Sequence, residues 1–249
     1  MISGEIKVFP NTIDLVRETA TKIAAVARAG IHATGSASLV LSGGNTPRAV
    51  YELLASDEWR GRVDWPKLHL FWGDERAVPP NAPDSNYRMA NESMIRKIPI
   101  PAGNVHRIPS ERPPQEAALL YQAEIRKAFQ LRDRQLPRFT LVLLGLGEDG
   151  HIASLFPNSA ALQDRARLVT ENYVESIHAS RITLTMPVIN NALSIVVIVS
   201  GKPKAGILRA VVDTDVPEYP ANMVRPIAGT VTWMVDADAA SLISNSSKP

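Results

Sequence analysis

The chain has 249 residues, 45% of them hydrophobic, enough to bury a large core, and residues 1–249 read as one α/β domain rather than a body with an appendage. Its 27 basic and 25 acidic side chains leave a formal charge of +2, so overall electrostatics supply no attraction to nucleic acid or to a membrane surface. The absence of cysteine excludes disulfides, thiolate catalysis and cysteine-ligated metal, and fits a reducing compartment.

In chain order, Glu5, Lys7 and Asp14 lack the basic-then-apolar order of a signal peptide. No apolar run is long enough to span a bilayer, so a cytoplasmic location is expected. Ile13, Val16, Ala20, Ile23, Ala24 and Ala27 recur at helical spacing and predict an opening helix that stops at Gly30. Ala37 to Leu41 predicts a short strand ending in Ser42-Gly43-Gly44-Asn45-Thr46-Pro47, after which Ala49, Val50, Leu53 and Leu54 predict a helix. Leu68 to Trp72 repeats the arrangement, running into Gly73-Asp74-Glu75-Arg76, a proline-rich loop and a helix that begins near Asn86. Ala117 to Phe129 reads as an amphipathic helix and Leu141 to Leu144 as a buried strand, with further strands at Ile182 to Leu184, Ile195 to Val199 and Thr230 to Val235. Such alternation implies a mostly parallel sheet. The segments Pro79 to Pro83 and Pro99 to Pro114 read as surface loops, and no internal repeat is visible.

Open parallel sheets bind ligands beyond the carboxyl ends of their strands, which makes the polar strand ends the candidate sites. Asp149 and His151 lie in GLGEDGHIASLFP, 145–157, directly after the Leu141 strand. If Ile152 to Phe156 begin a helix, His151 sits near its N-terminus, where the dipole disfavours imidazolium and keeps a ring able to act as general base. Taken alone, Asp-Gly-His reads equally as a turn whose aspartate caps the helix and whose histidine is solvated.

Gly43, Gly44, Asn45 and Thr46 offer backbone N–H groups that suit a phosphate, although the string has neither a Walker ending nor the dinucleotide fingerprint and alone reads first as a tight turn. Asp74, Glu75 and Arg76 suit a polar substrate, with Arg76 offering fixed donors to phosphate or to an oxyanion; the alternative is an internal ion pair. His69 and His106 make no compact ligand spacing with Asp74 and Glu75, so no metal site is expected. Arg181 and Lys204 are either surface charge or a cation pair closing on a phosphomonoester, while His178 reads as a solvated loop histidine.

Taken together and in order, SGGNTP at 42–47, FWGDERAVP at 71–79, SNYRMA at 85–90, GLGEDGHIASLFP at 145–157, RITLTMPVINNA at 181–192, GKPKA at 201–205 and VRPIAGTVTWMVDADAA at 224–240 resemble the 6-phosphogluconolactonase family. The resemblance spans nearly the whole chain and implies a Rossmann-like α/β fold, an open, mostly parallel sheet flanked by helices on both faces. The related glucosamine-6-phosphate deaminases share the glycine turn but continue GHIAFNEP; this chain reads His151-Ile152-Ala153-Ser154-Leu155-Phe156-Pro157 and lacks that carboxylate. It also departs from its own family at Val174 to Ser180, where relatives often carry a Pro- and Lys-rich stretch.

The activity implied is hydrolysis of 6-phospho-D-glucono-1,5-lactone to 6-phosphogluconate in the oxidative pentose phosphate route, with no metal or organic cofactor. His151 is expected to be the general base and Asp149 to orient its ring or bind sugar hydroxyls. Gly43, Gly44, Asn45, Thr46, Arg181 and Lys204 are expected to take the phosphate, Arg76 phosphate or oxyanion, Asp74 to support Arg76 or the sugar, and Glu75 to play a lesser supporting part, since the sequence does not say which of these side chains faces the crevice. The expected partner is the sugar-phosphate lactone alone, with no nucleic acid or membrane, and the expected state a monomer or weak homo-oligomer. The alternatives are glucosamine-6-phosphate deamination and a non-catalytic sugar-phosphate sensor; the second is disfavoured because the chain starts almost directly with its first core helix, leaving no room for a helix-turn-helix.

Overall fold

Parallel strands buried on both faces need nearly continuous apolar sequence, and β2 (Ala37–Leu41, ASLVL), β5 (Leu141–Gly145, LVLLG) and β8 (Ser194–Val199, SIVVIV) supply it. In the computed structural model, which describes residues 2–214 and 218–243, they form the centre of a six-stranded sheet with β1 (Glu5–Phe9), β3 (Leu68–Trp72) and β9 (Thr230–Asp236). The order is β1-β9-β8-β5-β2-β3 and every pairing is parallel. Between β2 and β5 the topology switches: β3 lies outward of β2 on one side, and β8 and β9 lie outward of β5 on the other. Crossovers that diverge in this way leave a crevice at the carboxyl ends of the two strands.

Helices α1 (Thr12–Thr34), α2 (Asn45–Leu54), α3 (Asn86–Ser93), α4 (Pro114–Ala128), α5 (Ala160–Gln163), α6 (Met186–Asn190) and α7 (Ala205–Asp213) flank the sheets. Among the described residues no helix is long and apolar enough to cross a membrane. Asn11 caps α1 by accepting from the Asp14 N–H, and Val16, Ala20, Ile23, Ala24 and Ala27 form its buried stripe as expected from their spacing, but Leu15 joins them in place of Ile13, which is exposed. The helix does not stop at Gly30. It runs to Thr34 and ends at Gly35, whose φ of 85° is the left-handed cap. Gly30 is there for close packing, since a β-carbon on it would come within 2.7 Å of Thr140 Cγ2.

Two strand assignments need correction. β1 precedes α1, pairing with β9, so the chain opens on a sheet edge and not on its first core helix. Ile182 to Leu184 belongs to β7 (Ala179–Leu184) of a separate antiparallel sheet, ordered β4-β7-β6, with β6 spanning Val169–Val174. Its other edge, β4 (Asp74–Arg76), is the segment expected to be a turn. The chain changes sheets at Gly73, whose N–H donates to Leu41 O while its carbonyl accepts from the Leu184 N–H. A short apolar strand shows that it is buried but not which strand it pairs with.

The core between these layers holds Trp65, Trp72, Trp233, Tyr51, Tyr121, Phe71 and Phe139, all essentially inaccessible to solvent. Burial of each such side chain contributes about 1.5–3 kcal/mol or more, which fixes the strand ends that carry the site.

Candidate active site

The turn leaving β5 is built around close backbone approach. Gly147 N donates to His151 O at 2.9 Å and Gly150 N to Gly147 O at 3.1 Å, bringing the chain back on itself. The His151 ring lies so near Gly147 that a β-carbon there would sit 2.1 Å from Nδ1. His151 Nδ1 donates to Asp149 Oδ1 at 2.5 Å, and the ring stacks on Phe156 with centroids 4.1 Å apart. With Nδ1 holding the proton toward Asp149, Nε2 keeps its lone pair. No helix starts at Ile152. Ile152 and Leu155 close a tight bridged turn in which Ala153 adopts φ 48°, and the next helix is α5. The helix-dipole argument for His151 therefore does not apply, and Asp149 with Phe156 sets the ring instead.

On β4 the side chains alternate, and the alternation sorts Asp74-Glu75-Arg76. Asp74 and Arg76 face the crevice beyond β2 and β5; Glu75 points the other way, 1% exposed, and caps α3. It accepts from the N–H groups of Arg76, Asn86 and Tyr87 at 2.7–2.8 Å and from Ser85 Oγ at 3.0 Å. Burial pushes its carboxyl above the usual range despite these bonds. Asp74, also buried, accepts from Ser154 Oγ at 2.6 Å, and Asn86 Nδ2 donates to its carbonyl at 3.0 Å. Asn86 in turn fills the space over Gly43, where a β-carbon would meet its Oδ1 at 2.0 Å.

Arg76 stands directly opposite Arg181 in the antiparallel β4–β7 register, so two guanidinium groups share one face. Neither makes an ion pair with a described residue. Arg76 Nη1 donates to the Asp84 carbonyl at 2.7 Å, its Nε is buried without a partner, and Arg181 Nη1 donates only to Ser180 O. Burial, then the charge of Arg76, holds Arg181 below the ordinary arginine range. Two neighbouring guanidinium groups, with the Asp74 carboxylate on the same face, give this wall of the cleft a cluster of fixed donors for an anion.

Across the crevice, Gly44 at φ 104° brings the chain into the first turn of α2, where the N–H groups of Asn45 and Thr46 precede any intrahelical acceptor. Tyr51 fixes this loop: its hydroxyl accepts from the Ser42 N–H and donates to the Ser42 carbonyl, both at 2.9 Å. Lys204 enters from the turn after β8 and lies 3.7 Å from Glu148 in the β5 turn.

A single cleft of about 470 Å³ gathers Gly43, Gly44, Asp74, Arg76, His151, Arg181 and Lys204. Four expected residues do not line it, Glu75 among them, since it points away into the cap of α3. Asp149 faces the His151 ring from outside, and Asn45 and Thr46 flank the cleft with the first turn of α2. Sequence reasoning missed Ser154, Asn86, Phe156 and Ile177, which do line it. Ile177 comes from the divergent Val174 to Ser180 stretch, which forms the β6–β7 hairpin tip and places this exposed side chain at the cleft. The signal for Ser154 and Asn86 was available only as motif position, since neither type has a characteristic spacing. His69 and His106 lie elsewhere, hydrogen-bonded to each other and on to Glu124, and neither lines the cleft.

Comparison with known proteins agrees with the fold. The sequence model of the glucosamine-6-phosphate isomerases/6-phosphogluconolactonase family matches residues 10–233. A 6-phosphogluconolactonase of a Synechocystis species is 40% identical over 208 residues, covering 82% of this chain and 84% of that protein. One from a Nostoc species is 36% identical over 242 residues, covering 96% and 98%. The solved 6-phosphogluconolactonase of Trypanosoma cruzi superposes with a TM-score of 0.86 at 28% identity over 97% of each chain. With its family model matched across most of its length and relatives above 30% identity over nearly all of it, the chain belongs to the glucosamine-6-phosphate isomerase/6-phosphogluconolactonase family.

Proposed function

We propose that the protein hydrolyses 6-phospho-D-glucono-1,5-lactone to 6-phosphogluconate, the reaction of the oxidative pentose phosphate route, with His151 as general base. The observation that carries this reading is His151, held from behind by Asp149, facing a cleft whose other walls are Arg76, Arg181, Lys204 and a glycine loop. Water between His151 Nε2 and the lactone C1 loses its proton to the imidazole as its oxygen bonds to C1. The carbonyl oxygen takes the negative charge. When the tetrahedral intermediate collapses, the bond from C1 to the ring oxygen breaks, and the imidazolium returns the proton to that oxygen. General base catalysis of this kind contributes about 10²–10⁴-fold.

Asp149 holds the tautomer that leaves Nε2 free. The phosphate, remote from C1, rests on the amides of Gly43, Gly44, Asn45 and Thr46 with Lys204 and Arg181, so its binding energy positions the carbonyl at His151. Arg76, beside Arg181, serves phosphate or oxyanion, and Asp74, held by Ser154 and Asn86, accepts from sugar hydroxyls. Both sheets contribute to the one cleft, which supports treating 1–249 as a single catalytic domain. We further place the enzyme in the cytoplasm, as a monomer or weak homo-oligomer, a reading supported by its nearly balanced charge and lack of cysteine.

The test follows disappearance of freshly generated 6-phosphogluconolactone, chelator present, with wild type, His151→Ala and a no-protein control. Acceleration by wild type and not by the variant is expected. A folded wild type that binds 6-phosphogluconate without accelerating its formation would sink the lactonase reading, and ammonia release from glucosamine 6-phosphate would redirect it to the deaminases.

A further inference from the structure

Asp236 ends β9 and is 1% exposed, yet it plays no part in the cleft wall. Its carboxylate has no cationic partner among the described residues. Four neutral donors surround it instead. Thr12 Oγ1 donates to it at 2.9 Å, Ser200 Oγ at 2.5 Å, the Gly201 N–H at 3.0 Å and the Ala239 N–H at 2.9 Å. Burial raises its pKa, but these bonds outweigh burial and hold it below the usual aspartate range. A buried carboxylate without a countercharge is costly, so its retention calls for a reason beyond filling space.

The reason lies in where the β8–β9 ladder ends. The last paired residues are Val199 and Val235, so the next residues of β8, Ser200 and Gly201, have left the sheet. Both donate to Asp236, the residue after Val235. Gly201 adopts φ 92°, and its carbonyl accepts from the Lys204 N–H at 3.0 Å, closing the 3-10 turn Lys202–Lys204. Two consecutive hydrogen bonds therefore connect the Asp236 carboxylate to the backbone of the lysine that enters the cleft. Thr12 brings the start of α1 into the same cluster.

We propose that Asp236 is a positioning residue for substrate phosphate: by fixing Ser200 and Gly201 beyond the end of the ladder, it sets the turn that aims Lys204 into the cleft. The inference rests on the reading of Lys204 as a phosphate contact. Oδ1 takes the Gly201 and Ala239 N–H groups and Oδ2 the two hydroxyls, so Asp236→Ala leaves both N–H groups without their acceptor, whereas Asp236→Asn keeps Oδ1 for them and can donate its NH₂ to the Thr12 and Ser200 hydroxyls.

The experiment is a double-mutant cycle in KM and kcat for 6-phosphogluconolactone, using Asp236→Ala, Lys204→Ala and the double variant. Asp236→Ala is expected to raise KM about tenfold, the size of one charge-assisted contact, and to leave kcat within about twofold. In the Lys204→Ala background it should change KM less than about twofold, because its target is gone. Asp236→Asn, which keeps the acceptor for Gly201, should restore KM to within about threefold of wild type. Ser200→Ala, which removes one donor and keeps the carboxylate, should raise KM by a smaller factor than Asp236→Ala and supplies the same cycle if Asp236→Ala does not fold. An unchanged KM in folded Asp236→Ala, or KM effects that multiply in the double variant, would overturn the proposal while leaving the phosphate reading intact. An unchanged KM in Lys204→Ala would overturn both.

Discussion

Gly147→Ala isolates the placement of one imidazole ring. A β-carbon at 147 would lie 2.1 Å from His151 Nδ1, 2.2 Å from Cε1 and 2.7 Å from Cγ. Relaxed contacts between such atoms are about 3.5 Å, so the ring has to retreat by roughly 1 Å or more. It has no free direction of retreat without loss, because Nδ1 is bonded to Asp149 and the ring face is stacked on Phe156 at 4.1 Å. Gly147 is not among the glycines with left-handed φ, so alanine suits its backbone and the strain falls on the ring. Misplacing a reacting group by about 1 Å costs on the order of 10²-fold in rate, equivalent to about 2.7 kcal/mol of barrier. The assay is kcat on fresh 6-phosphogluconolactone, corrected for spontaneous hydrolysis, with KM and melting temperature measured beside it. We expect kcat to fall about a hundredfold and KM to stay within about twofold, the phosphate contacts being untouched. Gly103→Ala, into open space, should be neutral. A Gly147→Ala enzyme with wild-type kcat would refute the claim that ring position at His151 limits the chemistry.

Three further outcomes follow from the same geometry. Arg181→Gln should raise KM at least about tenfold by removing an anion contact, yet stabilise the free protein by about 0.2–1 kcal/mol by ending the cross-strand repulsion with Arg76; a lower melting temperature would contradict the second part. Glu75→Gln should destabilise by about 1–3 kcal/mol, read by denaturant titration, because one amide oxygen cannot accept from the Arg76 N–H on β4 and from both the Asn86 and Tyr87 N–H groups at the start of α3; wild-type stability would mean the capping is dispensable. Burial, then His106, lowers the pKa of His69, so the folded state resists a proton that the unfolded state accepts. Its contribution is present above about pH 6.5 and lost as pH falls below it, so His69→Gln should flatten the decline in stability with acid, and an unaltered slope would rule out that assignment.

How much was legible depended on what each sequence signal encodes. Apolar runs such as SIVVIV encode burial, and the parallel sheet followed from them. They do not encode partners, which is why β7 was expected in the wrong sheet and β4 to be a turn. Gly30 and Gly35 show a related ambiguity: both are helix glycines, but only the left-handed φ of Gly35 marks a cap, while Gly30 answers to Thr140 more than a hundred residues away. The strand ends bearing His151, Asp74 and Arg76 were legible because polar residues after buried strands have few structural uses. Strand alternation would have separated Glu75 from them had β4 been recognised as a strand. What holds those groups was not legible: Ser154 on Asp74, Tyr51 on Ser42 and Asp236 on Gly201 are contacts between elements whose side chains carry no periodic signature.

The two sheets divide the tasks of the cleft in a way that follows from their pairing. Parallel strand ends present backbone: β2 and β5 deliver free amides and a glycine turn, and they can hold His151 only because Gly147 and Gly150 allow the chain to fold back on itself. They are poorly suited to placing two cations side by side, since each strand end is capped by its own crossover. An antiparallel pair does this directly, because opposite residues share a face, and β4–β7 sets Arg76 against Arg181. That arrangement costs stability in the empty protein and is relieved when an anion arrives. On the proposed reading the glycine loop, Lys204 and the paired arginines take the charge of the substrate while His151, on the β5 turn, takes the proton. A substrate whose charge and reacting carbonyl lie at opposite ends of the molecule suits that separation, and a ligand recognised by charge alone would not require the Asp149–His151 pair.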